Sequence, residues 1–401
     1  MNDLASLGVI LLFALLVGHL VKFVRVPEVT GYLLAGMIAG PSVLGFVTHE
    51  NLQALRVFSE VGLGLILFSI GSVFEFSRLK KVGAKVVGIA FTESAAVALM
   101  VFIVMIILGQ GVRASVLLGA IAVSTGAAST LMVIRENNSA GPFTDTVTAV
   151  IGLNNIFALV LFSLVAGSVE IAAMVADNGV TFARIAATVF PLLWELAGSA
   201  ALGFLVGLML ASWASQVKES GEVLILLIGC VLLTVGLASA FDLSPLIASL
   251  AVGATMANLS SKSRKLFEAL SRTDPPLYVI FFVLAGADLN LRLLPSLGMI
   301  GAAYVGARTM GKIGGAWFGA RRAGLGTSTE RLLGFAILAQ AGLAVGLVLI
   351  ARQRFPDIAQ TITAVVLGSV VIFEIFGPLG ARIAIGRSGE SRRQDDDLLL
   401  P

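Results

Sequence analysis

The sequence has few charged residues and a single cysteine, and both shortages limit what the chain can be. Charged residues make up 13% of its 401 residues, against roughly 25% in ordinary soluble proteins. Hydrophobic residues make up 57%, and the mean hydropathy is +0.99. This composition predicts an integral membrane protein. Cys230 has no second cysteine to pair with, so an intrachain disulfide is excluded.

Residues that carry enzymatic or metal chemistry are also scarce. The only histidines, His19 and His49, are isolated in the sequence, so no cluster of metal-ligating residues is formed. No nucleophile has a base beside it, and no glycine-rich phosphate loop occurs. We therefore expect no enzyme activity, no cofactor and no bound metal. The small net charge of +3 gives no indication of nucleic-acid binding.

Apolar segments fill the chain from residue 4 to residue 386 and predict an all-α polytopic membrane protein. About 20 apolar residues cross a bilayer as a helix. By this measure there are about thirteen transmembrane helices: 4–23, 29–47, 53–74, 84–108, 113–134, 143–168, 186–213, 221–240, 243–259, 276–290, 294–320, 331–352 and 358–386.

The distribution of basic residues orients these helices. An odd number of spans places the two termini on opposite sides of the membrane. With the N-terminus outside, nineteen basic residues fall on the cytoplasmic side and six on the outer side, as the positive-inside rule requires. We therefore predict a cytoplasmic C-terminus and, as the location, the inner (plasma) membrane of a bacterium.

The order of the segments predicts an internal repeat. Segments one to six and eight to thirteen would form two six-helix units, and a linker helix between them gives the units opposite orientations, an inverted repeat. The predicted parts are a membrane transport domain over 1–386, with a core over 84–168 and 294–386, a dimerisation domain over 4–74 and 221–290, and a linker helix over 186–213, followed by a short cytoplasmic tail over 387–401.

Polar residues interrupt several of the spans at their centres. The hydrocarbon core has no water for such groups, and interrupted helices near mid-membrane point to a transporter's binding site. We predict that 113–134 and 331–352 are broken helices that cross each other, and that 143–168 faces the crossing. The candidate ion-binding residues are Asn154, Asn155, Ser124, Thr125, Ser129, Thr130 and Gln340. The alternative for Asn154 and Asn155 is ordinary hydrogen bonding between helices.

Four ionisable residues within the spans form a candidate charge network. Arg308 and Lys312 are four residues apart and share one helix face, which leaves open which of them faces the site. We expect Glu93 to pair with one of them, because a buried cation needs a counter-charge. Glu374 is expected to support the ends of the broken helices. The alternatives are structural roles for the two cations and a titrating role for Glu93.

Motifs over nearly the whole chain resemble the monovalent cation:proton antiporter superfamily. The resemblance is to its second family, with sodium/proton antiporters and glutathione-gated potassium-efflux systems. The motifs, in order, are VPEVTGYLLAGMIAGPSVLG, VGLGLILFSIG, TLMVIREN with GPFTDT, LSPLIASLAVGATMAN, FFVLAGADL, AYVGARTMGK, LAQAGLAVGL and FEIFGPLGAR. The resemblance implies a homodimer in lipid that exchanges sodium or potassium for protons through an elevator-like shift of its core.

The sequence departs from this family at the ion site. At the place of Asn154 and Asn155 the family has a pair whose second residue is an aspartate, which binds either the cation or a proton. STGAAST likewise replaces a motif that usually carries a proline or an acid. Four functions therefore stay open: proton exchange through Glu93 or Glu374, a proton-uncoupled cation carrier, an anion carrier, or a non-transporting membrane sensor.

Overall fold

The computed structural model describes residues 3–23, 27–71, 75–176, 182–214, 216, 220–260, 263, 266–267, 275–288 and 298–391. Within these ranges every regular element is helical. The helices are α1 (Asp3–Phe23), α2 (Glu28–Ala39), α3 (His49–Gly71), α4 (Phe76–Ile107), α5 (Val112–Ala122), α6 (Ala127–Glu136), α7 (Pro142–Ala176), α8 (Phe182–Ala214), α9 (Ser220–Ala240), α10 (Pro245–Leu259), α11 (Pro275–Asp288), α12 (Gly298–Ala323), α13 (Thr327–Ala336), α14 (Gly342–Arg354) and α15 (Ala359–Ser388).

The predicted spans agree with these helices, because long apolar stretches satisfy their backbone groups in lipid only as helices. Each of the thirteen segments contains helical residues. Among the residues that the structure describes, five stretches are long and apolar enough to cross a membrane: Gly83–Ile107, Val112–Glu136, Pro142–Ala172, Leu193–Ala214 and Ala359–Ser388. The other apolar helices are shorter, so the count of about thirteen spans and the inverted orientation of the halves stay predictions.

Some predicted segments extend beyond the described residues. These are residues 72–74, 289–290 and 294–297 at the ends of predicted spans, and residues 392–401 of the predicted tail.

Both predicted broken helices are present. The first is interrupted between α5 and α6, over residues 123–126, and the second between α13 and α14, over residues 337–341. Ser129 and Thr130, expected near the first interruption, lie in the first turn of α6, and Gly342 begins α14. The all-α fold with broken helices is therefore confirmed.

The described helices belong to two compact units. The first unit comprises Met1–Ala54, Val82–Ala166 and Phe282–Pro401, and it holds both interruptions. The second unit comprises Leu55–Lys81 and Gly167–Phe281. This division places residues 4–54 with the helices of the predicted core, whereas the sequence suggested that they belong to a dimerisation domain. The dimerisation role of those helices stays a prediction.

The second unit has an apolar core between α3, α8, α9 and α10. Leu65, Phe68, Leu210 and Val231 are buried in it. Gly253 of α10 lies so close to α3 that a β-carbon would stand 2.0 Å from the Phe68 carbonyl oxygen. Glycine is therefore required at this contact between the two helices.

Glu390, beyond the end of α15, caps the helix that carries Asn154 and Asn155. Its carboxylate accepts hydrogen bonds from the backbone N–H of Phe143 at 2.7 Å and of Thr144 at 2.8 Å, and from the Thr144 hydroxyl at 2.7 Å. The first N–H groups of a helix have no partner within it, and the helix dipole favours an anion there. The end of α15 is thus held to the start of α7.

We expect Glu390→Ala to lower the free energy of unfolding by about 1.5–3 kcal/mol, the usual value for hydrogen bonds to a charged group. Chemical unfolding in detergent measures this loss. Asp357→Ala is the control, because the Arg113–Asp357 ion pair is about half exposed, at 48% and 53%, and exposed pairs contribute at most about 1 kcal/mol. Equal losses in the two variants would contradict the capping role.

Candidate functional site

The two interruptions meet in the first unit. The Gly126 N–H donates a hydrogen bond to the Ala339 carbonyl oxygen at 2.8 Å, which joins the first interruption directly to the second. Gly377 of α15 lies against the same point, and a β-carbon on it would stand 2.5 Å from the Ala339 Cα atom. The crossing therefore depends on small residues at positions 126, 339 and 377.

We expect Gly377→Ala to destabilise the crossing by about 1–3 kcal/mol, the usual cost of overpacking. The added methyl group would meet backbone atoms of Ala339, which cannot rotate away. Gly346→Ala in α14 is the matched control, because its β-carbon would have nothing within 4 Å and alanine favours a helix more than glycine does. Thermal unfolding of both variants checks this prediction, which fails if the control loses as much stability.

Arg308 ties together the C-terminal ends of the two half-helices that precede the interruptions. Its guanidinium group is fully buried and stacks over the Phe373 ring, 4.2 Å from the centroid. It donates to the carbonyl oxygen of Ala122, at the end of α5, at 3.0 Å, and to carbonyl oxygens within both interruptions: Ser124 at 2.7 Å, Leu338 at 2.6 Å and Ala339 at 3.2 Å. Carbonyls at a helix C-terminus carry a partial negative charge, which favours a cation there.

Lys312, one turn further along α12, pairs with Glu93 of α4. The Lys312 Nζ atom lies 2.7 Å from Glu93 Oε1, and both side chains have 0% exposure. The same ammonium group donates to the Val123 carbonyl oxygen at 2.9 Å and the Thr125 hydroxyl at 2.8 Å. The expected pairing of Glu93 with one of the two cations is therefore present, and the partner is Lys312.

Asn154 and Asn155 lie beside this ion pair and bond to different groups of Thr125. Asn154 is buried, donates to the Thr125 hydroxyl at 3.3 Å and accepts from the Ser94 hydroxyl at 3.3 Å. Asn155 is half-buried and accepts from the Thr125 N–H at 3.0 Å. The two amides thus meet one residue of the first interruption from adjacent positions on α7. This arrangement is compatible both with an ion site and with interhelical hydrogen bonding.

Gln340 organises the opposite side of the crossing. Its amide nitrogen donates to the Tyr304 hydroxyl at 3.2 Å. The same nitrogen makes longer contacts with the Ile121 carbonyl oxygen at 3.4 Å and the Ser124 hydroxyl at 3.5 Å. Its amide oxygen accepts from the Ser369 hydroxyl at 3.4 Å. Gln340 therefore links α12 and α15 to the first interruption.

Glu374 of α15 packs against the start of α6, the second half of the first broken helix. Both of its carboxyl oxygens contact the Ser129 hydroxyl, at 2.8 and 3.0 Å. Thr130 lies nearby and donates to the Ala336 carbonyl oxygen at 3.3 Å. The expected support of a broken-helix end by Glu374 is thus visible in its contacts.

The structure brings all the candidate residues to one crossing in three groups. Lys312 contacts Glu93 and Thr125, and Asn154 and Asn155 both bond to Thr125. Arg308 and Gln340 contact Ser124, and Glu374 contacts Ser129. Sequence reasoning missed Ser94 and Tyr304, whose hydroxyls complete the contacts of Asn154 and Gln340. A serine beside an intramembrane glutamate, and a tyrosine four residues before an intramembrane arginine, are the signals that could have found them.

The crossing is lined by oxygen-bearing groups. Its inward groups are hydroxyl, amide and carbonyl oxygens with one ion pair. Among the residues that the structure describes, no group of three His, Cys, Asp or Glu residues could hold a metal ion.

A model of the transmembrane domain of sodium/hydrogen exchangers matches residues 8–382. The chain belongs to the sodium/hydrogen exchanger family. The resemblance to monovalent cation:proton antiporters that the motifs indicated is therefore confirmed, as is a membrane protein of the transporter class.

Two proteins named as antiporters are similar to the chain over most of its length. The ammonium/H⁺ antiporter subunit AmhT of Alkalihalophilus pseudofirmus is 23% identical over 289 residues, 72% of this chain and 71% of that protein. The putative cation/proton antiporter YbaL of Escherichia coli is 28% identical over 297 residues, 69% of this chain. The matched part is 50% of YbaL, so the chain spans about half the length of that relative.

Solved structures of an exchanger support the fold. Two structures of the sodium proton antiporter MjNhaP1 from Methanocaldococcus jannaschii superpose with TM-scores of 0.68 and 0.74, each at 18% identity. They cover 96% and 99% of this chain, and 97% and 98% of the respective MjNhaP1 chains. At this identity the likeness shows the fold alone.

Proposed function

We propose that this exchanger transports sodium or potassium in exchange for a proton, and that the Glu93–Lys312 pair is the exchanging unit. The observation that carries the proposal is the position of the pair. It is buried at the crossing of the two broken helices, in contact with Thr125 and beside Asn154. The aspartate that the family carries at the position of Asn155 is absent, and Glu93 supplies a carboxylate next to it.

The ammonium group of Lys312 indicates where a cation would bind. It is held by one carboxylate, one carbonyl and one hydroxyl oxygen, all within 2.9 Å. Oxygen atoms of these types are the ligands that hard cations prefer. A sodium or potassium ion of the same charge would take the place of the ammonium group, with Asn154 and Ser94 as further neutral ligands.

Charge conservation then leads to proton release. A metal cation beside Lys312 would place two positive charges on one carboxylate in a buried site, which is strongly unfavourable. Lys312 relieves this repulsion by giving up its proton, and it takes a proton back when the cation leaves. Each cycle thus exchanges a cation for a proton of equal charge, so we expect electroneutral transport.

Asn154, Asn155 and the remaining candidate ligands act as a neutral polar lining in this proposal. Gln340, Ser124 and Arg308 hold the two interruptions in register. Access would alternate through an elevator-like shift of the predicted core, and the protein would work as a homodimer with its N-terminus outside. The family resemblance motivates these points, and the name of AmhT adds ammonium to the cations worth testing.

A flux assay in liposomes tests the function. Vesicles loaded with sodium or potassium and diluted into choline medium should acidify, because cation efflux drives proton entry. The acidification rate should stay unchanged when a permeant ion collapses the membrane potential, since the exchange is electroneutral. Glu93→Gln should abolish the acidification. Glu222→Gln is the matched control, because Glu222 is an exposed carboxylate in the first turn of α9.

The same assay separates the remaining functions. Cation efflux that builds a membrane potential without a pH change would indicate an uncoupled cation carrier. Flux that follows an imposed chloride or sulfate gradient would indicate an anion carrier. The absence of flux under every gradient would favour a membrane sensor, and each of these three results would overturn the proposal.

A further inference from the structure

Glu374 is a buried carboxyl group that the exchange at Glu93 and Lys312 does not use. It lies on α15 with 5% of its surface exposed. Its contacts come from the first broken helix, where the Ser129 hydroxyl lies 2.8 and 3.0 Å from its two oxygens. A β-carbon on Gly126 would stand 3.1 Å from Glu374 Oε1, so the carboxyl group lies directly at the interruption.

The neighbouring cations are engaged elsewhere. Lys312 forms its ion pair with Glu93. Arg308 of α12 lies over the ring of Phe373, the residue before Glu374, and donates to four carbonyl oxygens. Ser129 of α6, which contacts Glu374, carries no charge. Ala339 of the second interruption, which adjoins the same Gly126 position as Glu374, is also uncharged. Among the described residues, no lysine or arginine forms an ion pair with Glu374.

An ionised carboxylate in a buried position is unfavourable unless a cation or several hydrogen-bond donors compensate its negative charge. Removing an ionised carboxylate from water costs several kcal/mol of free energy. The N-terminus of a helix carries a partial positive charge of about half an elementary unit, and its attraction for the carboxylate is much smaller than this cost. The N–H of Gly126, at that end of α6, donates to Ala339 rather than to Glu374. A buried carboxyl group without a counter-charge therefore takes up a proton.

The contact with Ser129 is compatible with a protonated carboxyl group. A hydroxyl group has a single hydrogen to donate and can also accept. At 2.8 and 3.0 Å from both oxygens, it can donate to the carbonyl oxygen of a protonated carboxyl group and accept from its O–H. An ionised carboxylate has no proton, so the single hydrogen of the Ser129 hydroxyl would have to serve both contacts.

We propose that Glu374 and Ser129 form a proton-binding site, separate from the Glu93–Lys312 pair, in which the Glu374 carboxyl group holds a proton at neutral pH. The site's ligand is the proton itself, bound at one carboxyl oxygen of Glu374. The first broken helix would then have a proton site on its α6 half and the exchanging pair on its α5 half. This inference does not depend on the proposed exchange, because it concerns the protonation of a different residue.

Infrared spectroscopy of the purified full chain tests this site directly. At neutral pH the wild type should show the carbonyl stretch of a protonated carboxylic acid, shifted by deuterium exchange. The band should disappear from Glu374→Gln and persist in Glu93→Gln, the matched control. In Ser129→Ala it should move to higher wavenumber, because the carbonyl oxygen loses its hydrogen bond.

Two results would overturn the proposal. One is the absence of a carboxylic acid band from the wild type at neutral pH. The other is a band with the same position and intensity in the wild type and in Ser129→Ala. Because Ser129→Ala keeps Glu374, its spectrum tests the proposal even if Glu374→Gln does not fold. Since no transport is measured, failure here leaves the exchange at Glu93 and Lys312 untouched.

Discussion

Replacing Glu93 with glutamine is expected to lower the free energy of unfolding by about 3–5 kcal/mol. The substitution keeps the size of the side chain but removes the only carboxylate within 4 Å of Lys312 among the described residues. It leaves a fully buried ammonium group with neutral partners, the Val123 carbonyl and the Thr125 hydroxyl. Chemical unfolding in detergent, followed by tryptophan fluorescence or circular dichroism, measures the loss.

Two further variants make this result specific. Asn155→Ala removes one neutral hydrogen bond, from the Thr125 N–H, and should cost only about 0.5–1.5 kcal/mol. The double variant Glu93→Gln with Lys312→Gln removes both charges and should recover much of the loss, because replacing both partners of a buried pair is often nearly neutral. If Glu93→Gln costs no more than Asn155→Ala, the ion pair does not stabilise the crossing.

Asn155→Asp should strengthen proton-dependent cation transport, with the apparent affinity for the cation rising about tenfold, or about 1.4 kcal/mol. Aspartate has nearly the shape of asparagine and keeps an oxygen for the Thr125 N–H, which now lies 3.0 Å from the Asn155 amide oxygen. It adds a titratable carboxylate at a half-buried position beside the Glu93–Lys312 pair. Cation-dependent acidification of liposomes over a range of pH and cation concentration measures the change.

Asn258→Asp serves as the control for this experiment. Asn258 lies on α10 in the second unit, and its amide nitrogen donates to the Ala254 carbonyl oxygen of its own helix at 2.7 Å. Its replacement adds the same charge to a helix of the membrane domain without altering the crossing. Should Asn155→Asp leave both the flux and its pH dependence unchanged, Asn154 and Asn155 do not belong to the ion site.

The sequence predicted the helices and both interruptions because their signals are local. Apolar runs define the helices, and the polar residues Ser124, Thr125 and Gln340 mark where the two broken helices lose regular structure. The boundaries were less accurate. Ser129 and Thr130 are polar but lie within α6, since their hydroxyls find partners in Glu374 and the Ala336 carbonyl.

The pairing of charges could be predicted only in part. A buried cation needs a carboxylate, so Glu93 was expected beside Arg308 or Lys312. The sequence could not decide between the two, because residues four apart share a helix face. The structure separates them by the geometry of their partners. A planar guanidinium group with five N–H donors suits the several carbonyl oxygens around Arg308, whereas a compact ammonium group suits a single carboxylate.

The long-range caps could not be predicted from the sequence. Glu390 holds the start of α7, and Glu136 accepts from the backbone N–H groups of Glu28 and Val29 at the start of α2. In both cases the capping residue is more than one hundred residues from the N–H groups that it caps. Local capping patterns describe side chains within a few residues of a helix end, so they carry no information about such contacts.

In the proposed exchange, a cation takes the place of the Lys312 ammonium group beside Glu93 and displaces its proton. Calorimetric titration of the purified protein with sodium or potassium, in buffers with different enthalpies of ionisation, counts the protons released per cation bound. We expect release of about one proton from the wild type and none from the double variant Glu93→Gln with Lys312→Gln. Cation binding to the wild type without proton release, or equal release from the double variant, would contradict it.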